Sequence, residues 1–253
     1  MTVELKRELY KLRHLHLFKY SILVVLVLTF YGALPTRFVT LNEIANGFGI
    51  FQWIIVIMIG VSAESLAFEF RLHTIVPAVY KSARQTDLYF AKLIVLIFYS
   101  IFLTIIGFLM TLLVKAMLFG KRYALLTTFY HHRQLLNLLV VNAFGALIYT
   151  LFIITLGLLL FILFRNGAVA IVIGIFLAFM GDWISSGIMT SFPGIDKIWA
   201  WNPLNMINVV TQLGNQVVLK TVLLDAHQLV IGTLLYALLF ALFGILAFKK
   251  KSI

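Results

Sequence analysis

The chain has 253 residues, of which 62% are hydrophobic and only 11% charged, with a mean hydropathy of +1.06. A soluble domain carries roughly 45–50% apolar and about 25% charged residues, so composition excludes a soluble fold. The formal net charge of +11 describes no nucleic-acid surface, because the basic residues are scattered between apolar runs.

Residues 1–19 are polar but periodic. At 100° per residue Leu5, Leu9, Leu12, Leu15 and His16 share one face, and Lys6, Arg7, Lys11, Arg13 and His14 the other. That pattern suits an amphipathic helix lying in the membrane interface; a disordered basic tail is the plainer alternative. The first apolar run starts near Tyr20 with no small-residue cleavage site after it, so it is expected to stay in the protein. Six apolar spans are predicted near 20–36, 49–69, 88–114, 136–163, 167–189 and 228–248. Each is close to the ~20 residues that cross a bilayer, and Pro35 ends the first. Residues 249–253 form a basic tail. No repeat and no soluble segment of domain size interrupts the chain, so 1–253 is a single transmembrane domain of all-α polytopic class.

Lysine and arginine set the orientation. With the N-terminus inside, thirteen basic residues flank the spans on the cytoplasmic side and seven on the outer side. Both termini are therefore expected in the cytoplasm, against the dissent of the basic loop at 115–134.

Enzymatic motifs are missing. The chain has no GxxxxGK[ST] phosphate loop, no HExxH and no GxSxG. It has no cysteine, which excludes disulfides, thiolate metal sites and a cysteine nucleophile. His131 and His132 adjoin Arg133 on a basic loop without carboxylates at ligand spacing. Glu64 and Glu69 stand five residues apart, about 140° around a helix, so they do not address one site.

Two segments carry more than hydrophobicity. In the cytoplasmic joint at 62–93, Glu64 and Arg71 share a helix face, and His73 lies four residues beyond Glu69. Pro77 then breaks the helix, Lys81, Ser82 and Arg84 form a polar turn, and Thr86 and Asp87 suit the start of span three. This joint reads either as a short helix lying across the cytoplasmic face or as a capped loop. The outer segment 189–227 is too apolar for a solvated loop, yet Pro193, Gly194, Pro203 and Gly214 interrupt it. With Trp199 and Trp201 as interfacial anchors, it reads as short helices dipping into the bilayer or as a loop on its surface. Asp182 in span five is a candidate substrate-pathway residue, as is Glu64. Asn142 in span four is the third pathway candidate, read as a cavity group or a helix–helix hydrogen bond.

These features together resemble the membrane subunit of an ABC-2-type ABC transporter. The stretch Lys81-Ser-Ala-Arg84 leading to Phe90-Ala-Lys92-Leu93 looks like that family's approach to its third span. Trp201-Asn202-Pro203-Leu204 is similar to its asparagine–proline–leucine element before the last. At this size the chain is most similar to permeases of Gram-positive antimicrobial-peptide and lantibiotic immunity exporters. The resemblance implies an interfacial N-terminal helix, a coupling helix near 70–86 and a re-entrant element at 190–227 that includes Trp199, Trp201, Asn202 and Pro203. It implies two copies of a separate cytoplasmic ATPase holding ATP and Mg, and a second permease chain, in a bacterial cell membrane. Arg71, Lys81 and Arg84 would then form the docking surface, positioned by Glu69 and flanked by His73 and Asp87. The low polarity of the spans argues for an apolar or amphipathic cargo reached from membrane lipids. A secondary transporter or channel without an ATPase, and a membrane scaffold or sensor, are the alternatives.

Overall fold

The computed structural model describes residues 2–14, 16–37, 39–72, 85–120, 122–126, 134–192, 194–213 and 222–251. Secondary structure among them is helical. Helix α1 (Thr2–His14) is bent by 60° from α2 (His16–Ala33). The short α3 (Leu41–Ala45) and a 3₁₀ turn at Gly47–Gly49 lead into α4 (Ile50–Arg71). Then come α5 (Gln85–Phe119), α6 (Leu135–Phe164) and α7 (Gly167–Ser191). A broken stretch follows, made of α8 (Asp196–Trp199), a 3₁₀ turn at Pro203–Asn208 and α9 (Val209–Gln212). Helix α10 (Ala226–Lys251) closes the chain.

Helices α4, α5, α6, α7 and α10 are each long and apolar enough to cross a membrane, and the bent α1–α2 pair would make a sixth span. By itself α2 has 18 residues, about 27 Å, near the lower limit for a crossing. The expected break at 19–20 is corrected: the helix of the first span begins at His16 and the bend falls just before it. Helix α5 outruns its predicted 88–114 because Lys115, which resembles a boundary marker, is satisfied locally. Its Nζ donates to the Gly120 carbonyl at 2.9 Å, where a cation also meets the negative end of the helix dipole.

The hub is α6, the most buried of the long helices, packed against α4, α5, α7, α9 and α10. Its sequence is apolar on every face, as a helix enclosed by others requires. Tyr149, Phe152 and Phe161 bring aromatic bulk to the core, and Phe152 meets Phe240 of α10 at 5.3 Å between ring centres. Arg165 turns the chain from α6 into α7 in the left-handed conformation (φ 53°). The Asn166 side chain then caps α7 by accepting from the backbone N–H groups of Ala168 and Val169. Helix α10 starts on half a capping box, with the Gln228 side chain accepting from the Asp225 N–H at 2.9 Å.

The contacts of Lys11 and Lys92 with Glu69, of Gly167 with Ala67 and of Tyr89 with Phe248 put α1, the end of α4, the starts of α5 and α7 and the end of α10 on one side. The α3 turn and the broken stretch lie on the other, far side.

Candidate functional site

On the α1 side four charged groups meet, three of them out of solvent. Lys92 of α5 donates to Glu8 Oε2 at 2.6 Å, to Glu69 Oε1 at 2.9 Å and to the Ser65 carbonyl at 3.1 Å. Lys11 donates to Glu8 Oε1 at 2.7 Å and to Glu69 Oε1 at 2.8 Å. Two ammoniums thus face two carboxylates, and the cluster is formally neutral. Glu8, Glu69 and Lys92 are buried, while Lys11 is partly open to solvent. Burial disfavours the charged Lys11 ammonium, but Glu69 and Glu8 outweigh it and hold its pKa above the usual lysine value. The two carboxylates and the Ser65 carbonyl hold Lys92 inward near the start of a 35-residue helix, about 52 Å long, which is longer than a ~30 Å hydrocarbon core.

This cluster corrects the expected lie of α1. The side packed on the bundle is Glu4, Glu8 and Leu12, with Leu5 beside them, whereas Leu9 and Tyr10 are exposed. Charge matching to Lys92 turns the inward face toward Glu8 while Leu5 and Leu12 of the leucine stripe still pack inward, because a buried lysine and glutamate left alone cost several kcal/mol each. Glu69 accordingly lies inside the bundle and can act on a docking surface only by holding α1, α4 and α5 together.

At the same end Arg71 Nη2 donates to Glu64 Oε1 at 2.6 Å, the pairing that their seven-residue spacing predicts. Glu64 also lies beside Gly167, so its charge faces the positive end of α7. Arg71 is well exposed and Asp87 sits in the first turn of α5. His73, Lys81 and Arg84, with Pro77 and residues 73–84 of the predicted coupling helix, lie outside the described residues, as do His131 and His132.

On the far side the broken stretch dips into the bundle. Its 3₁₀ turn packs on α7 and α10, and α9 packs on α6. A Cβ on Gly145 would stand 2.7 Å from the Val209 carbonyl oxygen, so only glycine admits that backbone there. Gly145 is ten residues, about 15 Å, down α6, which puts the stretch deep among the spans rather than on their surface. Gly232 of α10 likewise leaves room for the Met206 side chain.

Side-chain amides satisfy the loose backbone of this stretch. Asn202 Oδ1 accepts from the N–H groups of Leu204 and Asn205, while its Nδ2 donates to Ser185 Oγ and the Trp199 carbonyl. Pro203 follows at the first helical position, where its missing N–H is harmless. Asn205 donates to the carbonyls of Ala200 and Val222, and Gln212 to that of Leu224. The spacing Asn202, Asn205, Asn208, Gln212 was a readable helical stripe of amides, though sequence reasoning singled out only the first. Trp199 and Trp201 are partly exposed at its rim.

Asp182 Oδ1 accepts from Asn208 Nδ2 at 2.8 Å on the wall of a cleft of about 220 Å³ between α4, α7 and the broken stretch. The other two proposed pathway residues stand apart from it. Glu64 is at the opposite end, and Asn142 is buried, donating to the Ala45 carbonyl at 2.9 Å and to Asn46 Oδ1 at 2.8 Å. Asn142 thus ties α6 to the turn before α4. Among the described residues no three His, Asp or Glu side chains gather to hold a metal.

Fold and site define an all-α polytopic membrane protein with a dipping, amide-capped segment before its last helix. The chain belongs to the DUF2705 family, described as a protein of unknown function, whose model matches residues 15–253. No curated protein matches it.

Proposed function

We propose that this chain is the membrane-spanning permease subunit of an ATP-driven ABC exporter in a bacterial cell membrane. It moves an apolar or amphipathic substrate, such as a peptide, lipid-like molecule or drug, with a separate cytoplasmic ATPase. The observation that carries this reading is the buried Glu8–Lys11–Glu69–Lys92 cluster. It binds α1 to α4 and α5, the helices on either side of the 73–84 joint. A force applied at that joint reaches three helices as one unit, because the charges cannot separate without leaving an unpaired ion in an apolar interior. The dipping segment at 203–213 supports the reading further, since it adds a second irregular element at the other end of the same bundle.

In this mechanism ATP and Mg are held by the partner ATPase, two copies of which meet a pair of permease chains. Closure of the ATPases pushes the joint, α4 and α5 tilt together with α1, and the far side of the bundle changes access. Arg71 is exposed at the end of α4 to receive the partner, with Lys81 and Arg84 following in sequence. The double charge reversal Lys81→Glu with Arg84→Glu tests this. Loss of ATPase association with the chain still folded is expected; unchanged association and transport would overturn the docking assignment.

A secondary transporter working without an ATPase is the second reading, favoured by the Asp182 carboxylate on a cleft among the spans. It predicts proton-coupled flux that Asp182→Asn abolishes in the absence of any ATPase.

A further inference from the structure

The cleft that holds Asp182 sets one carboxylate among apolar and aromatic walls. Its polar lining is Gln52, Asp182 and Asn208; Ile55, Phe179 and Trp183 represent the remainder. No lysine, arginine or histidine lines it. Asp182 takes part in no ion pair among the described residues, where six are formed elsewhere. The Asn208 amide donates to Asp182 Oδ1, and Asn208 is itself held by the carbonyl and side chain of Asn205. That amide can solvate the carboxylate but cannot neutralise it. Asp182 is nine residues, about 14 Å, from the end of α7, so the charge lies within the span.

An intramembrane carboxylate without a protein counter-ion marks a site for a cation. The rings supply the rest of the recognition, because a cation over an aromatic face gains further attraction when both are desolvated. Trp183 is 80% exposed at the mouth, and Trp53 meets Phe179 edge-on at 6.2 Å between ring centres. The volume suits a small charged head, not a whole chain. An apolar body would continue outward over Trp183, Met180 and Phe176, which are exposed along α7.

We propose that this cleft binds a lipophilic cation, an ammonium carried on an apolar body, with its charge against Asp182 and its body along the exposed rings of α7. As a statement about substrate it rests on the transporter reading; as a statement about binding it does not.

The test uses the full chain alone in lipid nanodiscs, without any ATPase, and equilibrium dialysis of radiolabelled decyltrimethylammonium. Saturable binding near one cation per chain is expected, above the partition into empty nanodiscs. Asp182→Asn should weaken it by about tenfold or more, the loss of one well-placed charge contact, while Asp182→Glu retains it. Decyl sulfate, with the same chain and opposite charge, should show no saturable binding. Each neutral variant is first shown to be monodisperse with an unchanged melting temperature. Should Asp182→Asn fail that check, Trp183→Ala, which alters only the exposed mouth, is expected to weaken binding severalfold in its place. Equal binding of the sulfate, no saturable binding by the wild type, or wild-type binding by Asp182→Asn would overturn the proposal. Because no ATPase is present, that result would leave the exporter reading standing, and failure of ATPase association would leave this site standing.

Discussion

Replacing Lys92 by methionine removes one ammonium and three hydrogen bonds, to Glu8 Oε2, Glu69 Oε1 and the Ser65 carbonyl. The apolar stem keeps its volume, so the loss is electrostatic. The cluster passes from two cations and two anions to one cation and two anions, and its remaining cation, Lys11, is the one partly open to solvent. With Glu8, Glu69 and Lys92 side chains only 2–4% exposed, the cost falls in the range for breaking a buried pair, about 3–5 kcal/mol. For a chain of this size that lowers the melting temperature by roughly 6–20 °C. Thermal unfolding in detergent micelles, followed by tryptophan fluorescence, measures it. Adding Glu8→Gln to Lys92→Met restores neutrality, with Glu69 left facing Lys11. The double variant should therefore be more stable than the sum of the single losses by about 2 kcal/mol. A Lys92→Met loss under about 1 kcal/mol, or losses that add within about 0.5 kcal/mol, would refute a shared buried network.

Arg71→Ala should cost less than about 1 kcal/mol in the same assay despite its 2.6 Å contact to Glu64, because the arginine side chain is 63% exposed. Gly145→Leu should displace the dipping stretch, since its Cβ alone would strike the Val209 carbonyl. The check is a fall in melting temperature at least as large as for Lys92→Met, or a chain that no longer elutes as one species. The native absence of cysteine allows single-cysteine labelling in intact cells with a membrane-impermeant maleimide. Cysteines replacing Ile195 and Leu126 should react, and those replacing Arg13 and Lys249 should not; the reverse pattern would invert the orientation.

Much of the architecture was legible because apolar length is a one-dimensional signal. The predicted second, fourth, fifth and sixth spans fall within about three residues of α4, α6, α7 and α10. The Glu64–Arg71 pair was legible for the same reason, since both lie on one helix at fixed spacing. The lie of α1 was not. Periodicity assigns the leucines to the membrane interface and the basic residues to the opposite face, and Glu8 meets Lys92 only because two helices 84 residues apart in sequence come together. One hint existed, in glutamates placed in an otherwise basic segment. The dip at 203–213 was half legible: prolines and glycines announced broken helices, but the depth depends on Gly145 of α6, far away in sequence. The Asp182 cleft was legible as a residue and not as a place, because Gln52 and Asn208 reach it from other elements.

The proposed function stands or falls on an ATPase partner coupled through the α1 side. The most direct measurement is to express this chain with the ABC ATPase encoded beside it, purify through a tag on this chain, and assay ATP hydrolysis. A stable complex is expected, whose hydrolysis depends on this subunit and falls when Lys92→Met loosens α1 from α4 and α5. An ATPase that does not co-purify, or that hydrolyses ATP equally without this chain, would contradict it.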